Sequence, residues 1–219
     1  MNIRTLFYGT VVSCLMTGTA YAQQRTVNYN LAQWLAAGKL EAVNREVAQD
    51  SGEGIRLSAA DGDGVAWLKG VDFSDGVIEV DVKGRNVDQK SFLGIAFRGV
   101  DSKTLDAVYF RPFNFLAADT VRRSHMVEYV SHPQYPWQVL REKFNGQYEK
   151  GLIHPPDPDN WFHIRIEVHF PEIRVFVNDS PKPCLDIKQL DDRKSGKIGL
   201  WTGNESDGAF THLKILFRK

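Results

Sequence analysis

Eight side chains have types and spacing suited to gripping a small molecule: Arg98, Tyr109, Arg111, Glu128, His132, Tyr135, Trp137 and, further along, Trp201. Arginine supplies planar donors, glutamate an acceptor, and the aromatic rings flat faces for C–H patches, which together are what a sugar needs. Strand parity gathers several of them on one side. If Leu93, Ile95 and Phe97 fill a core, then Gly94, Ala96 and Arg98 face the other way. Likewise Val108 and Phe110 point inward, while Tyr109 and Arg111 point out beside Arg98. The run His125 to Ser131 reads either way; Glu128 is assigned to the groove because an ionised carboxylate is costly to bury without a partner. Arg98 or Arg111 would be that partner. The same set also reads as a structural ion-pair network with packed aromatics, which leaves a plain scaffold in play.

Other chemistry is thinly represented. His163 and His169 lie six apart, His125 and His132 straddle a strand, and no H-x-H or H-E-x-x-H set exists, so no metal site is expected. Asp61-Gly62-Asp63-Gly64 places two carboxylates in one turn, which suits either a structural calcium ion or simple turn chemistry. Cys184 has no Cys-His spacing around it and reads as an inert packed thiol.

The elements that must carry these residues are strands. From about residue 64 the apolar period is two: Ile78, Val80 and Val82 alternate with Glu79 and Asp81, and Phe162, Ile164, Ile166 and Val168 alternate with His163, Arg165 and Glu167. After Pro171 the pattern resumes with Ile173, Val175 and Val177, predicting an antiparallel hairpin. Further strands are expected over 40–48, 54–58, 65–69, 92–98, 108–113, 125–131, 197–201 and 210–217, with Gly, Asn, Asp and Ser at the joints. Asn30 before Leu31 to Ala37, with Gly38 after, predicts a short capped helix. The connection 132–160 is long and rich in aromatics, and Trp137, Leu140 and Phe144 after Pro136 predict a helical turn over the sheet.

These strands resemble a known superfamily. Trp161-Phe162-His163-Ile164-Arg165-Ile166-Glu167-Val168 with Ile173-Arg174-Val175-Phe176-Val177-Asn178 looks like the late hairpin of concanavalin A-like lectin and glucanase folds. Gly196-Lys197-Ile198-Gly199-Leu200-Trp201 is similar to their penultimate strand, as in laminin G-like modules and the 3-keto-disaccharide hydrolase-type domains of exported bacterial proteins. Phe73 to Val80 and Phe92 to Arg98 fit the same pattern. The resemblance covers roughly residues 40 to 217 and implies an all-β, single jelly-roll β-sandwich; it does not fix an activity. Glu79-Val80-Asp81 begins the E-x-D-x-x-E motif of laminarinase-type glucanases, but Gly84 stands where the last carboxylate belongs, so Glu79 and Asp81 read as a solvated face. Removal of the C2 proton of a 3-keto sugar needs only a modest general base and an oxyanion stabiliser; Glu128 or His132 would be the base and Arg98 or Arg111 the stabiliser.

Composition sets the remaining bounds. With 27 basic against 27 acidic residues and no basic stripe, the chain is not built to neutralise phosphates, and a nucleic-acid partner is not expected. Arg4, the apolar run Leu6 to Met16 and Ala20-Tyr21-Ala22 read as a signal peptide over 1–22, followed by one domain over 23–219. The run is too short to span a bilayer, and no second stretch is apolar enough. Val11-Val12-Ser13-Cys14 also resembles a lipobox, so a lipid anchor at Cys14 is the alternative to a free periplasmic or extracellular protein. The expectation is an exported domain binding a neutral carbohydrate on its concave face, with a 3-keto-sugar hydrolase or an adhesion module as alternatives.

Overall fold

The computed structural model describes residues 24–218; the signal-peptide reading and Cys14 therefore lie outside the described residues. In chain order the elements are β1 (Arg25–Tyr29), α1 (Leu31–Ala36), β2 (Leu40–Val43), β3 (Val47–Gln49), β4 (Ile55–Leu57), β5 (Gly64–Phe73), β6 (Asp75–Lys83), β7 (Leu93–Gly99) and β8 (Leu105–Phe110). There follow a 3-10 turn (Pro112–Asn114), α2 (Thr120–Arg123), β9 (Val127–His132), α3 (Trp137–Lys143), β10 (Glu149–Lys150), β11 (Phe162–His169), β12 (Glu172–Val177), β13 (Leu185–Lys188), β14 (Gly196–Thr202) and β15 (Gly208–Arg218). One sheet has eight strands in the order β13-β12-β11-β6-β15-β4-β3, with β1 also on β15; the other has seven, β10-β9-β8-β7-β14-β5-β2. No helix among the described residues is long and apolar enough to cross a membrane.

Alternation in sequence becomes layering in space. Ile78, Val80, Val82, Ile164, Ile166, Ile173 and Val175 pack from the eight-stranded sheet against Leu93, Ile95, Phe97, Val108, Phe110 and Leu200 of the other. The expected hairpin forms, with Ile164 opposite Val177 and Val168 opposite Ile173. Asn30 caps α1, its Oδ1 accepting the Gln33 N–H at 2.9 Å, and Gly38 closes it with φ of +65°. In the long connection, α3 forms as expected and lays Leu140 and Phe144 on the seven-stranded sheet.

Two expectations need correction. The strand expected over 40–48 is two strands in different sheets, because Asn44 takes a left-handed φ of 55° and the chain crosses over there. The strand expected over 108–113 starts earlier, at Leu105, and ends at Phe110, because Pro112 cannot donate to a ladder and begins a 3-10 turn instead.

Candidate functional site

Strands β7, β8 and β9 are buried along both faces, unlike the alternating β6 and β11. Their outward side chains join a second apolar cluster of Val65, Trp67, Ala96, Ala107, Tyr109, Val130 and Trp201, partly roofed by Leu140 of α3. Above this floor lies a groove of about 810 Å³. Tyr109, Arg111, His132, Trp137 and Trp201 all line it. Gly94 is the register partner of both Tyr109 and Trp201, and a Cβ there would lie 2.0 Å from the Val108 carbonyl oxygen. With glycine between them, the two rings lean together at 5.0 Å.

Glu128 sits under the groove rather than in its lining. It stands on the groove side of β9, to which the cost of burying an unpartnered carboxylate assigned it, and leaves the core side to Val127 and Tyr129. It is 1% exposed, and its Oε2 accepts hydrogen bonds from the Tyr109 hydroxyl at 2.6 Å and from the Arg111 guanidinium. Its Oε1 is buried without a protein partner. Burial raises the Glu128 pKa, against the pull of Arg111 and Tyr109. Beside it, Glu149 of β10 takes a two-pronged grip from Arg141 at 2.8 and 3.1 Å and lies 2.7 Å from His125 Nδ1. Burial disfavours the Glu149 charge as well, but Arg141, His125 and Arg111 outweigh it and its pKa falls.

The opposite wall is acidic. Asp63 Oδ2 lies 3.9 Å from His132 Nε2. Burial raises the Asp63 pKa against His132 and Arg45, and burial lowers that of His132 against Asp63. Burial also lowers the pKa of His125, opposed by Glu149. Asp88 and Glu205 at the rim pair with Arg122 and Lys90. Among the described residues no three His, Cys, Asp or Glu side chains are grouped to hold a metal ion. The Asp61–Gly64 turn is tied by Asn44, whose Nδ2 donates to the Asp61 and Asp63 carbonyls at 2.6 and 3.0 Å.

Two predicted site residues lie elsewhere. Arg98 does not reach the groove: β7 carries an extra residue against β14 between Ala96 and Gly99, and Arg98 absorbs it with φ of 50°. The bulge turns its side chain to the sandwich end, where it bonds the Ser74 carbonyl at 3.1 Å and Asp75 at 2.8 Å and stacks near Phe170. Tyr135 packs beside Phe144 on the edge of the floor and does not line the groove. Sequence reasoning missed Phe92, Asp63, Asn114, Arg122, His125, Arg141 and Asn204, all in the lining. Only Arg141 had a local signal, four residues after Trp137 on one helix face, where it stacks 5.0 Å from the ring centroid.

No protein-family model matches the chain. No curated protein matches it either. Solved structures do. The carbohydrate-binding module CBM66 from Bacillus subtilis superposes with a TM-score of 0.59 at 18% identity, over 80% of this chain and 94% of that one. A protein of unknown function with a galectin-like fold, also from Bacillus subtilis, gives 0.58 at 13% identity, over 91% of this chain and all of that one. The VIP36 exoplasmic/lumenal domain in its Ca2+/Man3GlcNAc-bound form gives 0.53 at 14% identity, over 83% and 84%. At such identities the likeness establishes architecture, and the architecture is the galectin-like, concanavalin A-like jelly roll.

Proposed function

We propose that this chain is an exported carbohydrate-recognising domain that binds a neutral glycan in the groove on the outer face of the seven-stranded sheet. One observation carries this reading: an aromatic floor of Tyr109, Trp201 and Phe92 lies beside charged side chains most of which already face an opposite charge, Arg111 with Glu128, Arg141 with Glu149, Arg122 with Asp88 and Glu205 with Lys90. A charged ligand would have to break those pairs. A hydroxylated neutral ligand can bond to them as they stand, with its C–H faces on the rings. Support also comes from the fold shared with a carbohydrate-binding module and with a lumenal domain bound to Man3GlcNAc.

A glycan array followed by calorimetry tests the reading. Binding of a neutral oligosaccharide that is lost in Trp137→Ala is the expected result; binding of acidic glycans alone would overturn it. Hydrolysis of 3-keto-disaccharides is the second reading, and it rests on His132, which lines the groove and is held unprotonated by burial. Glu128 is less suited to act as base, because its Oε2 is already engaged and the residue lies below the lining. Turnover of such a sugar that His132→Gln abolishes would favour the enzyme. A blank in both assays would favour an adhesion module.

A further inference from the structure

We propose that Arg45 is the positioning residue that builds the acidic wall of the groove, fixing Asp63, Gly203 and Asn204 where a bound glycan meets them. The wall's role in binding rests on the carbohydrate reading above; its construction does not. Three connections pass between the sheets at this end: β2 to β3 through Asn44, β4 to β5 through Asp61 to Asp63, and β14 to β15 through Gly203 to Asp207. Where a strand leaves its sheet, carbonyls lose their ladder partners and must be satisfied otherwise. One guanidinium does this for all three. Arg45 donates to the carbonyls of Asn44 at 2.5 Å, Gly62 at 2.8 Å, Thr202 at 3.2 Å and Gly203 at 2.7 Å, and its Nε donates to Thr202 Oγ1 at 2.7 Å.

Arg45 is 8% exposed, and its five hydrogen-bond partners are neutral oxygens. Burying a guanidinium without a bonded carboxylate is costly, which marks the position as more than packing. Room has been made for it: a Cβ on Gly64 would lie 2.4 Å from Arg45 Cγ. The crossovers also hold one another, through Gly62 N–H to Asn204 Oδ1 at 2.6 Å and Glu205 N–H to the Ala60 carbonyl at 2.8 Å. Among the described residues only Arg45 bonds to all three connections at once, and from two of them Asp63, Gly203, Asn204 and Glu205 line the groove.

The test uses the full chain with Arg45→Ala and Arg45→Lys, read by amide hydrogen exchange and by calorimetry with Man3GlcNAc and with laminaritetraose. In Arg45→Ala, amides 60–64 and 203–206 should exchange at least about tenfold faster, while floor amides 94–96 and 107–110 stay as in the parent. Affinity for whichever probe the parent binds should drop about tenfold or more, millimolar ethylguanidine should restore most of it, and the lysine variant should fall between. Rescue by a free guanidinium separates wall-building from side-chain packing. Unchanged exchange in the wall, or a loosened wall with full affinity, would overturn the proposal. If the parent binds neither probe, the glycan reading fails for both sugars, and exchange confined to the wall, or absent from it, still decides the role of Arg45. If Arg45→Ala does not fold, Thr202→Val removes one acceptor without stranding a charge, and its wall amides should still exchange a few-fold faster.

Discussion

The two sheets turn opposite outer faces to their surroundings. Across β6, β11 and β15 the outward side chains are Glu79, Asp81, His163, Arg165, Glu167 and Lys214, each partly exposed and paired with neighbours, as in Glu79 with Lys214 at 2.8 Å and Asp81 between His163 and His212. Across β7, β8, β9 and β14 the outward side chains include the buried apolar Ala96, Leu105, Ala107, Tyr109, Val130 and Trp201, and the charges beside them, Glu128 and Arg111 just past β8, are almost fully buried. Water can solvate the first face, whereas the second gains by being covered, and what α3 and the rim loops leave uncovered is the groove. A sheet face too apolar for solvent yet built around buried ion pairs is the feature that points to a ligand.

The largest effect should come from breaking one ion pair on the groove face. Arg111→Ala strands Glu128, which is 1% exposed, and removing one partner of a buried pair typically costs about 3–5 kcal/mol. Lys214→Ala on the other face should stay within about 0.5 kcal/mol, as surface changes usually do. Urea unfolding of both variants measures the contrast, and similar small losses would mean that the groove-side network is solvated after all. Arg111→Met with Glu128→Leu, which removes both charges, should recover much of the stability while abolishing glycan binding.

Exposed aromatics sharpen the same contrast. Trp137, 42% exposed in the groove, and Trp161, 37% exposed outside it, are alike in type and accessibility. Trp137→Ala should weaken glycan binding about tenfold or more, equal to about 1.4 kcal/mol, whereas Trp161→Ala should leave it unchanged. Equal losses in a calorimetric titration would remove the groove from consideration.

Titration should also report the groove. Burial holds the folded-state pKa values of His125 and His132 below the ordinary histidine value of about 6.5, so folding favours the neutral rings. Their contribution is therefore fully present above about pH 6.5 and is lost as pH falls toward the folded values. His132→Gln should flatten the stability profile below about pH 6.5, and a parent and variant with parallel profiles would show that the Asp63–His132 pair does not titrate there.

How much of this was legible depended on whether water touched the strand. On the solvated sheet, Val77 to Val82 and Phe162 to His169 announce their faces by alternation, and every inward residue named from that pattern is buried. On the groove sheet, parity still sorted Tyr109 and Arg111, whereas for Glu128 it left both faces open and the cost of burying an unpartnered carboxylate decided. Parity failed at Arg98, where one bulged residue reverses the face and leaves no mark in composition. The acidic wall was invisible for a different reason. Arg45 meets the Asp61–Gly64 turn across a short stretch of chain, but Thr202 and Asn204 come to that turn from more than a hundred residues away, and local spacing cannot encode their meeting.

The smallest effect belongs to the solvated face itself and checks that the comparison holds in both directions. Glu79 and Lys214 lie at 2.8 Å with side chains 26% and 43% exposed, so their attraction is screened by water and salt and opposed by side-chain entropy. A double-mutant cycle of Glu79→Gln and Lys214→Ala should give a coupling of about 0.2–1 kcal/mol that shrinks in high salt, with glycan affinity unchanged throughout. A coupling several times larger, or one insensitive to salt, would mean that this face is also withdrawn from water. The contrast that singles out the groove would then lose its basis.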